Sequence, residues 1–259
     1  MGAETSKADD CSESQPSKEA LQIESQNVKS TAKTTVNETK EVQVCEAKES
    51  EKTAAVKLPW NYEAIIEDAD SPIDKSSKEK LYDQLCSGVF LNQKRKKYWV
   101  EKKSGSNSFM LFARDLSITW AGDNRYWKWS PQEETSDVIV EEAELLNVCW
   151  LEVHARFDPR KLSPGILYEV VFVIMLKDPA YGWEVPVNLR LLCTNGMKQE
   201  RKENLRMKPR HQWIEIPVGE FTTSPEINGG GMEISMYEFE GGKWKRGLVI
   251  KGVIIRPKN

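Results

Sequence analysis

Three of the nine tryptophans in this 259-residue chain, together with one tyrosine, fall within the sixteen residues from Arg114 to Trp129. Trp120, Trp127 and Trp129 stand among the short polar side chains Asp115, Asp123 and Asn124, next to Arg125. Flat indole faces beside fixed hydrogen-bonding groups suit a pyranose ring, whose C–H face is apolar and whose hydroxyls need partners. The same spacing suits burial. If residues 121–124 form a loop, Leu116, Ile118, Trp120, Trp127 and Trp129 share one face, and tryptophan is on average a highly buried residue type. The pattern is equally compatible with a ligand platform and with a core.

A second group with similar chemistry lies later, where Tyr237 and Phe239 alternate with Glu238 ahead of Gly241, Gly242 and Trp244. A carboxylate accepts hydrogen bonds from two hydroxyls at once, although a glutamate at a hairpin end is also an ordinary solvated charge. Other chemistries lack their residues. His154 and His211 are the two histidines, and neither has a second His or Cys at ligand spacing, so no metal site is expected. There is no nucleophile elbow, phosphate loop or dinucleotide fingerprint. Carboxylates are abundant, but no pair stands out as a glycosidase would need. No catalytic residue, metal or cofactor is singled out by these residues, and a glycan-processing enzyme stays among the readings beside a binding protein.

Strands are needed to position these groups. Leu116, Ile118 and Trp120 alternate with Ser117 and Thr119, Ala121 to Asn124 supply turn residues, and Trp127 and Trp129 resume the alternation: a hairpin, or a strand ending in an ordered loop. Further strands are expected at 97–100, 109–112, 150–157, 166–176, 185–193, 213–218, 232–239 and 247–255. Residues 131–147 read as acidic and irregular, and Asp178 to Gly182 as a turn. In the 150–157 strand, Leu151, Val153, Ala155 and Phe157 face one way and Trp150, Glu152, His154 and Arg156 the other. Tyr62, Ile65 and Ile66 fit a short helical turn. Ser76 and Glu79 make a capping box for a helix over 77–87, stopped by Gly88. Many strands without intervening helices indicate an all-β, antiparallel, two-sheet β-sandwich.

Composition divides the chain near residue 57. Residues 1–57 hold no aromatic residue, eight Lys and eleven Asp or Glu, and the remainder is charge-balanced. Such a polar tail cannot bury enough apolar area to offset chain entropy, so disorder is expected. A balanced domain has no overall pull toward nucleic acid or membrane. The basic runs Lys94–Lys97 and Arg201–Arg210 nevertheless keep an RNA-binding or protein-interaction module as the competing function. No stretch is apolar enough to span a membrane, and no signal peptide follows Met1. Residues Met1 to Ser6 fit the myristoylation pattern at Gly2. Five scattered cysteines suggest reduced thiols in a cytoplasmic or nuclear protein.

Several separated stretches, in order, resemble one family. Phe109 to Trp120, Tyr126 to Trp129, Val148 to Glu152, Leu162 to Val171, Pro179 to Trp183 and Trp244 to Gly252, with Ile255 to Pro257, are similar to the plant phloem protein 2 lectins and the related Nictaba lectin. The similarity covers residues 58–259. It implies a jelly-roll-like β-sandwich lectin domain, taken here as 107–259, preceded over 58–106 by a helical entry segment and the first strand of the lectin region. It implies a non-enzymatic lectin for N-acetylglucosamine oligomers, including chitin oligomers and the N-glycan core of glycoproteins, in cytoplasm, nucleus or phloem sap, in a family whose members are often homodimers. The family's two binding tryptophans fall on Trp120 and Trp127, and one of its carboxylates falls on Glu238. The second family carboxylate falls at Gly231, and Glu233 is the nearest substitute.

Overall fold

The computed structural model describes residues 56–193, 195–224 and 230–258. The polar tail expected over 1–57 and the pattern at Gly2 lie outside them, apart from residues 56 and 57.

Two short helices come first, α1 (Tyr62–Ile66) and α2 (Lys78–Ser87). Leu81 and Leu85 bury the inner stripe of α2. Its cap is Ser77, one residue later than the capping box suggested, with Oγ accepting from the Lys80 N–H. The Ser76 N–H is instead taken by the Asp74 carboxylate at 2.9 Å, so the chain turns into the helix one position on. Gly88 ends it, its N–H donating to the Gln84 carbonyl.

Thirteen strands follow among the described residues: β1 (Val89–Leu91), β2 (Lys96–Glu101), β3 (Ser106–Phe112), β4 (Ser117–Ile118), β5 (Trp127–Thr135), β6 (Val138–Leu145), β7 (Leu151–Phe157), β8 (Leu167–Tyr181), β9 (Val187–Leu192), β10 (Lys198–Glu203), β11 (Ile214–Thr222), β12 (Met232–Glu238) and β13 (Arg246–Pro257). All pairings are antiparallel, in an eight-stranded and a five-stranded sheet that form a β-sandwich. The smaller sheet runs β10-β9-β12-β7-β4.

The larger sheet is built on β13. One edge of β13 bonds to β8, which continues to β11. The other edge is shared: Val249 and Ile250 pair with β6, and Gly252 to Ile255 pair with β3. The changeover requires glycine at 252, because a Cβ there would lie 2.0 Å from the Leu111 carbonyl oxygen. Every residue of β3 is buried. One side of β3 faces the main core, and on the other Met110 and Phe112 join Val140 and Val173 in a smaller apolar layer. Segment 58–106 is therefore integral to the sandwich. It supplies β1 and β2, and buried Asn107 ties it down, donating from Nδ2 to the carbonyls of Trp60 and Lys161, both at 2.8 Å.

Of the two readings of the tryptophan stretch, the strand ending in an ordered loop holds and the hairpin does not: β4 pairs with β7 in the small sheet and β5 with β6 in the large one, so residues 119–126 cross between sheets. Two other expectations need correction. Residues 131–147 are the β5–β6 hairpin. Several of their carboxylates are strand positions matched by cations, as in Glu134 with Lys97 and Lys251 and Glu141 with Arg114. Residues 178–181 continue β8. By contrast β7 has the expected parity, with Leu151, Val153, Ala155 and Phe157 buried.

Candidate functional site

The crossing from β4 to β5 sets one indole apart from the others. Trp127 is 2% exposed and donates its indole N–H to the Thr119 carbonyl at 3.1 Å. Trp129, two residues on and on the same face of β5, donates to the Ala121 carbonyl at 2.9 Å. Its ring lies 3.6 Å from the Arg114 guanidinium, which also forms two hydrogen bonds to Glu141. The buried indole of Trp127 and the half-buried indole of Trp129 thus hold the backbone on either side of Trp120. Trp120 itself has φ +62° and is 47% exposed. A left-handed conformation is uncommon for a bulky residue and costs on the order of 1–3 kcal/mol. Here it turns the indole outward, beside Tyr126 at 5.2 Å between ring centroids. Asp123 bonds Arg125 and caps the turn below.

The site residues anticipated from sequence therefore occupy different environments. Trp120 presents a face to solvent, whereas the ring of Trp127 is enclosed by protein and offers no stacking surface. Its place is to support the backbone that carries Trp120. Glu238 is 2% exposed and ion-paired to Lys245, which is fully buried. Its Oε1 also accepts from the Gly241 N–H at 2.7 Å. Lys245 donates to the carbonyls of Cys149 and Lys243. The reason is parity: Met232, Ile234, Met236 and Glu238 form the inward row of β12. Glu238 is thus an internal strut between the loop 239–244 and the segment leading to Trp150. Glu233 lies on the outward row, half-buried, 3.2 Å from Arg190 and 3.7 Å from His154.

On the outward face of the small sheet, Tyr237 and Phe239 of the second aromatic group meet Trp150, Glu152 and His154, which the sequence did not single out as a site. Trp150, 41% exposed, stacks on Phe239 at 4.2 Å and 12°, and Phe239 stacks on Tyr237 at 5.6 Å. The Arg190 guanidinium caps the column 5.5 Å from the Tyr237 ring. The Trp150 indole N–H donates to Glu152 Oε2 at 3.0 Å, and the same oxygen accepts from Thr119 Oγ1 at 3.1 Å. Glu152 Oε1 lies 3.1 Å from His154 Nε2. The Trp150 N–H first, then His154, hold the Glu152 carboxyl below the usual carboxylate range. Glu152 thus bonds both Trp150 and the residue before Trp120. The outward parity of 150, 152, 154 and 156 was the available signal.

His154 Nδ1 is 3.0 Å from Ser235 Oγ, which completes a carboxylate–imidazole–hydroxyl chain. It is not built for nucleophilic attack, because Ser235 has no exposed surface and a nucleophile must reach its substrate. Beyond His154 the face opens into a cavity of about 430 Å³ lined by Lys96, Asp115, Ser117, His154, Arg156 and Glu233. Lys96 pairs with Asp115 at 3.5 Å and Lys97 with Glu134, so half of the basic run 94–97 is neutralised. In the second run, Arg201 and Lys208 are both bound to Glu203. Among the described residues no helix is long and apolar enough to cross a membrane.

Comparison with known proteins places this arrangement among relatives. The Phloem protein 2 family model matches residues 106–257. Protein PHLOEM PROTEIN 2-LIKE A1 of Arabidopsis thaliana is 52% identical over 80% of this chain and 84% of its own length. A lectin from Luffa acutangula is 44% identical over 78% of this chain and 96% of its own length. Among solved structures, a CBM22-1 xylan-binding domain from Paenibacillus barcinonensis aligns over 56% of this chain and 87% of its own, with 9% identity and a TM-score of 0.33. Nothing about the site follows from so distant a likeness.

Proposed function

The chain belongs to the Phloem protein 2 family, a family of non-enzymatic carbohydrate-binding proteins, and from that premise we propose that it is a lectin for N-acetylglucosamine oligomers, with Trp120 as the primary stacking surface. The observation that carries this reading is the strained, outward Trp120, held in place by the indole N–H groups of buried Trp127 and half-buried Trp129. A backbone conformation of that cost, maintained by two hydrogen bonds to its neighbours, serves presentation of the ring better than it serves packing. Thr119 and Glu152 beside it supply fixed polar partners. Glu233 is the outward carboxylate of β12, whereas Glu238 supports the site from inside.

Covering about 50 Å² of indole contributes on the order of 1 kcal/mol. One such contact with a few hydrogen bonds gives weak single-site binding, about 0.1–1 mM. Useful retention then comes from several sugar contacts or from a homodimer, through effective concentration. The test is passage of the protein over chitin at high salt, with elution by chitotriose. Retention and specific elution support the reading. Flow-through of folded protein, or binding to RNA that falls steeply with salt, counts against it.

A further inference from the structure

We propose that the outward row of β7 is the floor of a groove for a linear, uncharged oligosaccharide, with one ring stacked on Trp150 and the chain running past Glu152 and His154 into the cavity at Arg156. The proposal rests on the reading of the outer face as a saccharide site and extends it to a length of chain.

Three observations carry it. Trp150 is fixed rather than loose, because Phe239 covers one side of it and Glu152 holds its N–H. A half-exposed indole held in this way is preorganised for stacking and loses little freedom when a ring lands on it. Next, Trp150, Glu152, His154 and Arg156 point the same way along one strand. At about 3.3 Å per residue they span about 20 Å, room for several linked pyranose rings. Ser117 of β4, an exposed residue, lies opposite His154 in register at one side of the row.

The cavity at the far end suits a neutral polyol rather than an ion. Lys96 and Arg156 are matched there by Asp115 and Glu233, with Lys96 3.5 Å from Asp115 and Arg156 3.8 Å from Glu233. Matched charges provide donors and acceptors of both kinds without a net field to draw a phosphate or a cation. Ser117 and His154 add groups that can donate or accept. Hydroxyls, which do both, are the functional group such a lining fits.

The experiment is calorimetric titration of the full chain with N-acetylglucosamine and its di- to pentasaccharides, alongside xylo- and galacto-oligosaccharides of the same lengths. Affinity should rise about ten-fold from disaccharide to tetrasaccharide. Trp150→Ala should remove most of that rise. Arg156→Ala, at a largely exposed side chain, should reduce the rise without touching the fold. A tetrasaccharide that binds no tighter than the disaccharide overturns the groove, as does a rise that survives both variants. Length-dependent binding of a xylo- or galacto-oligosaccharide alone, lost in Trp150→Ala, upholds the groove and rejects N-acetylglucosamine as its sugar. Absence of binding to every saccharide rejects both.

Discussion

Glu238 and Lys245 form an ion pair sealed inside the sandwich, between the end of β12 and the start of β13. Removing one partner of a buried pair leaves an uncompensated charge, at a cost of about 3–5 kcal/mol. Glu238→Ala is therefore expected to lower the urea midpoint strongly. The double substitution Glu238→Met with Lys245→Met should regain much of that stability, since paired apolar residues often replace such pairs at little cost. A Glu238→Ala protein with an unchanged midpoint and no sugar binding would instead return Glu238 to the role of a direct ligand.

Trp120 contributes presentation and little packing. Trp120→Ala should abolish retention on chitin and change stability by no more than about 1 kcal/mol, as for other exposed positions. Trp120→Gly should be at least as stable as the alanine variant, because glycine adopts positive φ without steric cost. Unfolding of either variant would mean that Trp120 belongs to the core.

Trp127 should behave in the opposite way. Trp127→Ala is expected to cost about 3–5 kcal/mol, the range for large buried aromatics. Trp127→Phe is more informative, because it keeps most of the volume and leaves the Thr119 carbonyl without its donor. A stability loss of about 1–3 kcal/mol is expected, accompanied by weakened chitin retention as the backbone at Trp120 relaxes. Wild-type retention in a folded Trp127→Phe protein would separate the two tryptophans.

The depressed ionisation of Glu152 fixes a pH dependence. A carboxyl whose folded-state pKa is lowered contributes stability that is present above its unfolded pKa and is lost as pH falls through its folded value. Retention should stay level from neutral pH down to the ordinary glutamate range, about pH 4.3, and decline only below it, as Trp150 and Thr119 lose their acceptor. A retention profile that halves well above that range would count against Glu152 as the organiser of the face.

Burial raises the thiol pKa of Cys193 and of Cys86. The thiolate is the reactive form, so both should be alkylated by iodoacetamide at neutral pH much more slowly than an unfolded control. Peptide mapping after timed labelling measures this, and early labelling at Cys193 would show that its surroundings open.

The sandwich was legible in the sequence because alternation is a local signal. β7 follows from a period-two pattern with buried and outward residues as expected, and β9, β12 and β13 lie where strands were expected. The β5–β6 hairpin was not legible, because its outward glutamates look like loop composition until Lys97, Lys251 and Arg114 are brought to them by distant strands. Trp120 and Trp127 illustrate the same limit. Their spacing fits one face of a hairpin, but the chain changes sheets between them, and crossing partners are a property of the whole fold. Glu238 was the nearer miss. Its parity with Met232, Ile234 and Met236 marks it as inward, and only the buried Lys245 makes that position tolerable for a carboxylate.

The shared edge of β13 has a kinetic side. β3, early in the described chain, gains its β13 neighbour only when residues 252–255 arrive from the far end of the domain, which also close the sheet onto β8. Pairings between such distant segments are slow to form, since loop closure must precede any reward. Until then β3, buried throughout in the finished structure and apolar from Phe109 to Phe112, is left as an open strand able to pair with another chain. Newly made protein should therefore be most vulnerable to aggregation before β13 docks, and substitutions at Gly252 should show themselves as lost soluble yield more than as a lowered melting temperature of whatever folds.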